Sequence, residues 1–308
     1  MVEFISGAIP LYNAERHIFD ALASFAAQTY PVGEIVIVDD GSTDGSRDRV
    51  ERFAAAHPHI AVRIIIQSNQ GVAEARTAAV EHCRSNHVIA LDADDVLHPQ
   101  AVERLTEHAL RHPEFALIYG DYFLIDESGA VTGMINHRQR RSDPLEGHIL
   151  ATQLWENVTG GVNYVRRDAV LAVGGYRMDP ALYPHDSLQD VMLVFRLLLA
   201  GYPIGYIPWP IYSYRNTSGS LSKTPSRLDG NWERVMAHLF AAHPHEMAAA
   251  FVQMRQWRAE QLRDAFFRIE ARDRRIAELE TAHATRPGWL RRALRRFRGP
   301  QVSPDASS

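Results

Sequence analysis

The chain has a single cysteine, Cys83, among 308 residues. One thiol forms no internal disulfide and no Cys-x-x-Cys metal knuckle. Cys83 continues a helical pattern with Val72, Ala75 and Ala79, which is the place of a buried structural thiol rather than a nucleophile. Lysine is as scarce: Lys223 is the only one among 33 basic residues, and no G-x-x-x-x-G-K-[ST] loop leads to it, so P-loop chemistry is excluded. Gly7 stands alone in the first apolar run, so the G-x-G-x-x-G fingerprint of a nicotinamide or flavin site is absent. Gly41-Ser42-Thr43-Asp44-Gly45 puts Thr where a nucleophile elbow has Ser. The pairs His57/His59 and His243/His245 are spaced too closely for helical zinc ligands and read as loop histidines, and Glu246 lacks a second His in H-E-x-x-H register. The N-terminus has no basic n-region or signal-like apolar stretch. The most apolar window, Val191 to Tyr212, is interrupted by Arg196, Pro203, Pro208 and Pro210, so it reads as a buried helix followed by a buried strand rather than a membrane span. A cytoplasmic location is expected.

What the chain does have is a regular alternation. Strands are expected at Phe4–Ile9 (stopped by Pro10), Glu34–Val38, Val62–Ile66, Val88–Leu91, Ala116–Tyr119 and Val162–Val165. Helices are expected at Ala14–Gln28 with Asn13 as N-cap, Ser46–Ala56, Gly71–Arg84 and Gln100–Arg111. Near-continuous apolar strands separated by amphipathic helices predict an α/β fold with a mostly parallel central sheet and helices on both faces. Ligands of such sheets bind beyond the carboxyl ends of the strands. Those ends carry Pro10-Leu11-Tyr12-Asn13, Asp39-Asp40-Gly41-Ser42, Ser68-Asn69-Gln70-Gly71 and Asp92-Ala93-Asp94-Asp95. Ordinary turn chemistry accounts for any one of them. It accounts poorly for two strands ending in clustered carboxylates, whose repulsion calls for a cation or a hydrogen-bonded ligand. Oxygen-only ligands in a D-x-D on a short loop suit Mn2+ or Mg2+.

Taken together, Ile9–Asn13, Glu34–Ser46, Asn69-Gln70-Gly71 with Ala75-Arg76, Leu91–Asp95, Gly174-Gly175-Tyr176, Gln189-Asp190 and Tyr214-Arg215 resemble the inverting family 2 glycosyltransferases of GT-A fold over about residues 3 to 222. The resemblance implies a metal-dependent enzyme that moves a sugar from a nucleotide-sugar, a UDP-sugar first, to the hydroxyl of a glycan or glycolipid acceptor in cell-surface polysaccharide or glycolipid assembly. It implies that Pro10, Tyr12 and Asp40 hold the nucleotide base and that Asn69 and Arg76 complete that pocket. Asp92 would touch the ribose, Asp94 would bind Mn2+ or Mg2+ at the diphosphate, and Asp190 would be the general base. Asp39 reads equally as a turn cap, and Asp95 as a cap of the following helix. Three positions depart from the family: Gln189 where Glu is usual, Thr77 where Asn is common, and Asn216-Thr217 where many members carry a His after Tyr-Arg. His185, just ahead of Asp186, reads as an incidental loop histidine, with a substitute for that His as the alternative.

Two other readings are weaker. A sugar-1-phosphate nucleotidyltransferase needs a Gly-rich basic loop after the first strand, which Pro10–Asn13 does not supply. A non-catalytic nucleotide-binding scaffold has no need of Asp92, Asp94 and Asp190 together. Asp126–Gly129 reads as a tight turn. Arg138, Arg140 and Arg141 read as a solvated loop or an element over the diphosphate, and the stretch with Trp155 and Gly160-Gly161 as part of the acceptor side.

The expected organisation is a catalytic domain over 1–225, a helical extension over 226–285 and a basic amphipathic tail over 286–308 with a disordered end. In the extension Phe251, Met254, Trp257 and Leu262 form a stripe suited to pack on the catalytic domain. Ile269, Ile276 and Leu279 suggest a seam too short to assert a dimer, so oligomerisation stays open. The near-neutral charge of −4 is an average: residues 286–308 hold six arginines against one aspartate, a net +5 that leaves −9 on the rest. Trp289, Leu290, Ala293, Leu294 and Phe297 lie on one helical face of 286–298, with arginines filling the remainder. That is an interfacial-membrane pattern, with docking on a protein as the alternative. Nucleic acid is disfavoured by the acidic body.

Overall fold

The structure, a computed structural model, describes residues 4–137, 150, 153, 161–179, 188–217 and 225–284. The chain runs β1 (Ile5–Leu11), α1 (Ile18–Ala26), β2 (Val32–Asp39), α2 (Ser46–Ala56), β3 (Ala61–Ile66), α3 (Val72–His82), β4 (His87–Ala90) and β5 (Val96–Leu97). It continues through α4 (Ala101–Arg111), β6 (Leu117–Ile125), β7 (Val131–Ile135), β8 (Asn163–Arg166), α5 (Arg167–Ala172), α6 (Gln189–Leu199), β9 (Ile204–Arg215), α7 (Pro225–Ala242) and α8 (Pro244–Ala284).

The strands form one sheet in the order β3-β2-β1-β4-β8-β6-β9-β5, with β7 paired to β6. β1, β2, β3 and β4 are parallel, as the alternation predicts. β8 enters antiparallel between β4 and β6, and β9 runs parallel to β6. Successive residues of a strand face opposite sides of the sheet. In β2, Ile35 and Ile37 therefore join the core under α1, α2 and α4, while Val36 and Val38 join the core under α3, α5 and α6. Both faces being covered, the strands read as unbroken apolar runs. Cys83 lies in the second of these cores, 3% exposed, and burial pushes its thiol up to about 12.

β1 does not stop at Pro10; it runs to Leu11. The Ala8 carbonyl accepts the Leu91 amide on the β4 side and the Leu11 carbonyl accepts the Asp40 amide on the β2 side. Pro10 alternates with them and points its missing N–H toward β4, whose pairing with β1 has already ended at Ala90. Nor does Asn13 cap a helix. It sits at φ 47, and α1 begins only at Ile18. Its amide donates to Ser42 Oγ at 3.1 Å and its Oδ1 accepts the Thr43 amide at 2.8 Å, clasping the first two strand-end loops together.

α6 is apolar on nearly every side because it is covered twice. Leu193, Val194 and Leu197 face the sheet, while Val191, Met192 and Phe195 meet Val235 and Leu239 of α7 and Met247 and Ala250 of α8. Of the stripe expected in the extension, Met254 packs against this cluster and Phe251 is exposed; the inward positions are Met247 and Ala250, one turn earlier. The chain divides into two compact units, 1–254 and 255–308. The described part of the second is the remainder of α8, on which Phe267 and Ile269 are exposed. Among the described residues no helix is long and apolar enough to cross a membrane. The tail 286–298, His185, Trp155, Gly160 and the arginines at 138, 140 and 141 lie outside the described residues.

Candidate active site

The carboxyl ends of β1 to β4 deliver the expected residues to one rim. Tyr12 is 52% exposed just beyond β1, and Pro10 is buried within that strand. Asp39 and Asp40 are both buried at the end of β2 but have different duties. Asp39 accepts the Ser42 amide at 2.9 Å and both Nε and Nη2 of Arg47, at 3.0 and 2.6 Å. Burial alone would raise its carboxyl; the Ser42 bonds and the Arg47 guanidinium more than offset that and hold it below the usual range. It is thus a turn cap with a counter-ion. Asp40 reaches across to the β3–α3 loop, where it accepts Gln67 Nε2 at 2.7 Å and the amides of Gln70 and Gly71 at 2.8 and 2.9 Å. Asn69 is exposed on that same loop, and Gly41, at φ 77, lets the loop come close: a Cβ there would stand 3.1 Å from the Asn69 nitrogen.

Arg76 projects from α3 and is 4% exposed. Its Nη2 donates to Asp92 Oδ1, and its guanidinium carbon lies 5.3 Å from the centroid of the Tyr176 ring. Burial opposes its charge, yet Asp92, Tyr176 and Asp190 together hold the guanidinium more firmly protonated than usual. Thr77 explains how Tyr176 comes to be there. Its Oγ1 accepts the Tyr176 amide at 2.9 Å, and Gly175, at φ 71, packs so tightly on Thr77 that a Cβ would overlap its methyl. The family departure at Thr77 is therefore a docking point for the Gly174-Gly175-Tyr176 turn.

Asp92 to Asp95 form a tight turn at the end of β4, with the Asp95 amide donating to the Asp92 carbonyl at 3.2 Å. Asp94 is half-buried, and burial with the neighbouring Asp92 charge pushes its carboxyl up to about 6. Asp95 caps no helix. It is wholly buried, its Oδ1 accepts the Arg215 amide at 2.9 Å, and its Oδ2 has no hydrogen-bond partner among the described residues. Burial, then Asp94 and Asp92, raise it well above the ordinary value. Gly161 closes the other side: its amide donates to Tyr212 Oη at 3.2 Å, and a Cβ on it would sit 3.3 Å from Asp92 Oδ2.

Asp190 lies in the first turn of α6, after Leu188 at φ 72, a left-handed conformation that costs a non-glycine residue about 1–2 kcal/mol. Burial raises its carboxyl, Arg76 opposes the rise and Asp92 adds to it. A helix start (α6), a helix flank (α3) and a strand end (β4) thus bring Asp190, Arg76 and Asp92 within electrostatic reach of one another. Tyr176, Tyr212 and Arg215 have no role in the sequence pattern; the Gly174-Gly175-Tyr176 triplet and the Tyr214-Arg215 pair point to the first and last, and nothing marks Tyr212.

Among the described residues no group of three or more His, Cys, Asp or Glu side chains could hold a metal ion. The donors on hand are Asp92 and Asp94. Two crowded carboxylates, one of them raised by the other, fit a hard cation of the Mn2+ or Mg2+ kind, which takes one or two carboxylates and completes its shell with phosphate oxygens and water.

The family model for Glycosyl transferase family 2 matches residues 6–171. The uncharacterised glycosyltransferase YibD of Escherichia coli K12 is 28% identical over 238 residues, covering 75% of this chain and 67% of that protein. Chondroitin synthase of Escherichia coli is 36% identical over 128 residues, 42% of this chain but only 18% of the synthase. Among solved structures, TarS 1–349 of S. aureus in complex with UDP-GlcNAc superposes with a TM-score of 0.59 at 19% identity, over 81% of this chain and 70% of that one. The mannosyltransferase PcManGT of Pyrobaculum calidifontis, in complex with GDP-Man and Mn2+, gives 0.53 at 16% identity, over 85% and 84%. The architecture is the GT-A fold, and the chain belongs to glycosyl transferase family 2 and is a glycosyltransferase.

Proposed function

We propose that the protein transfers a sugar from a UDP-sugar to the hydroxyl of a glycan or glycolipid acceptor, with inversion, in polysaccharide or glycolipid assembly. The observation that carries this reading is the convergence of Asp190, Arg76 and Asp92 beside the D-x-D turn. Tyr12 is exposed for packing on a base, with the buried Pro10 two residues before it; Asp40, Asn69 and Arg76 frame the rest of the nucleotide site. Asp92 faces the ribose. Asp94, with Asp92 beside it, would hold Mn2+ or Mg2+, which neutralises charge on the departing diphosphate when bound. Asp190 takes the proton from the acceptor hydroxyl as that oxygen attacks the anomeric carbon, and the bond from this carbon to the diphosphate oxygen breaks on the opposite face. A single displacement inverts the centre and needs no carboxylate nucleophile, unlike a retaining glycosidase. The UDP and UDP-GlcNAc complexes of TarS favour uridine as the base, and the names of relatives such as chondroitin synthase favour a polysaccharide product.

The test is a screen of nucleotide-sugars by thermal unfolding with Mn2+. A cognate donor at 100 times its Kd is expected to add about 2.7 kcal/mol of stability. The reading fails if no UDP-sugar with Mn2+ shifts the transition while a sugar-1-phosphate with a nucleoside triphosphate does, which is the nucleotidyltransferase outcome.

The tail over 286–298 is proposed as a peripheral contact with the inner face of a membrane, where anionic headgroups meet its arginines and Trp289 and Phe297 insert. Co-sedimentation with anionic vesicles is expected for the full chain and lost on truncation after Thr285. Equal binding by the truncated chain would reject it.

A further inference from the structure

Arg215, the last residue of β9, is 3% exposed and spends its donors on separate pieces of the fold. β5 pairs antiparallel with β9 at Tyr212 and Ser213, which brings the end of β9 under the Asp92–Asp95 turn. There the Arg215 amide donates to Asp95 Oδ1 at 2.9 Å, and its Nε donates to the Asp94 carbonyl at 2.9 Å. Its Nη1 donates to the Glu127 carbonyl in the β6–β7 turn at 3.2 Å, and its Nη2 pairs with Asp20 of α1 at 2.9 Å. A carbonyl held in place restrains the peptide plane that follows Asp94, and so narrows the directions in which the Asp94 carboxylate can leave the chain. Only a guanidinium offers several donors in a rigid fork; an ammonium is a point charge on a flexible stem.

We propose that Arg215 is a positioning residue of the cation site: its Nε, donating to the Asp94 carbonyl while Nη1 is seated on the Glu127 carbonyl of the β6–β7 turn, sets the aim of the Asp94 carboxylate. Arg215 touches neither donor nor acceptor in this role, since the fork is engaged within the protein. The inference rests on the cation-dependent reading above. It explains why a buried arginine closes β9 at this point: any residue's amide could serve Asp95, but an apolar side chain would leave the Asp94 carbonyl without its donor.

The experiment is Mn2+ binding in the presence of UDP, followed by the signal of free Mn2+, in the full chain and in Arg215→Lys, Arg215→Gln and Asp20→Asn. Loss of an outer-shell partner typically weakens a metal site by about 10–100-fold. Arg215→Lys is expected to raise the Mn2+ dissociation constant by about tenfold, with UDP affinity measured in EDTA unchanged. Asp20→Asn removes the ion-pair partner in α1 but leaves the fork on Asp94, so it is expected to lower the unfolding midpoint and leave Mn2+ affinity where it was. Equal weakening by Asp20→Asn and Arg215→Lys would make Arg215 a general stabilising residue, and unchanged Mn2+ affinity in both arginine variants would overturn the proposal alone. If the unaltered chain binds no Mn2+ with UDP, the cation-dependent reading falls with it. If neither arginine variant folds, Arg215 belongs to the fold as a whole and the assignment to this turn is wrong.

Discussion

Asp190→Asn is expected to lower the turnover number for transfer by about 10^2 to 10^4, with the donor KM nearly unchanged. Asn keeps the volume and one acceptor oxygen, so the first turn of α6 should survive. Were Asp190 only a helix cap, the exchange would cost about 1 kcal/mol or less of stability and little activity. Its surroundings argue for more than a cap. Burial pushes its carboxyl up, which makes the ionised form a stronger base than an exposed aspartate. Arg76, buried and ion-paired to Asp92, opposes the rise and keeps the ionised form accessible. Gln189, where the family usually has Glu, spares Asp190 an adjacent negative charge that would raise it further. Steady-state transfer kinetics with a cognate UDP-sugar, beside equilibrium donor binding, separate the outcomes. Wild-type turnover in Asp190→Asn would remove the base from this residue.

The parallel half of the sheet was legible because its strands are buried on both faces and its helices carry clear stripes. Ser46–Ala56 is where the sequence places it, and most other boundaries move by one or two residues. The failures have local causes. β5 is two residues long, too short for any period, and exists only because Tyr212 and Ser213 lie beside it. The strand expected over Ala116–Tyr119 continues through Asp121 to Ile125. Asp121 is in fact buried and satisfied, with Oδ1 accepting the His137 amide at 2.9 Å and Tyr206 Oη at 2.8 Å. At the site, the clustering of carboxylates at strand ends was visible from residue types alone. The division of labour was not. Nothing in Asp39-Asp40 says that Arg47, in the first turn of α2, claims the first, or that loop amides claim the second. Arg76 and Asp92 are on different elements, and Arg215 meets Asp94 only after the chain has built four further strands, β5 to β8, and run to the end of β9. Such pairs are set by topology, which periodicity does not encode.

Asp94→Asn is expected to move activity and stability in opposite directions. In the folded protein the Asp94 carboxyl titrates at about 6, against an ordinary 3.8, because burial and the Asp92 charge disfavour its ionised form. The folded chain therefore holds a proton that the unfolded chain releases between about pH 4 and pH 6. Stability falls as pH rises through that window and stays reduced above it. Asp95 and Asp190 are raised as well, each first of all by burial, so their ionised forms are disfavoured in the same way. Asn cannot ionise. In EDTA at pH 7.5, Asp94→Asn should unfold at higher denaturant than the unaltered chain, by on the order of 2 kcal/mol, and the gap should close toward pH 4. With Mn2+ and a cognate UDP-sugar the order should reverse, since only the carboxylate gives the cation a charged ligand. Transfer should then fall by at least about 10^2, the equivalent of a few kcal/mol of charge neutralisation. Urea unfolding at the two pH values, with and without Mn2+ and donor, reads all of this from one pair of proteins. A variant that is less stable than the parent in EDTA at pH 7.5, yet transfers sugar normally with Mn2+, would show that Asp94 is an ordinary turn residue and that the cation has its ligands elsewhere.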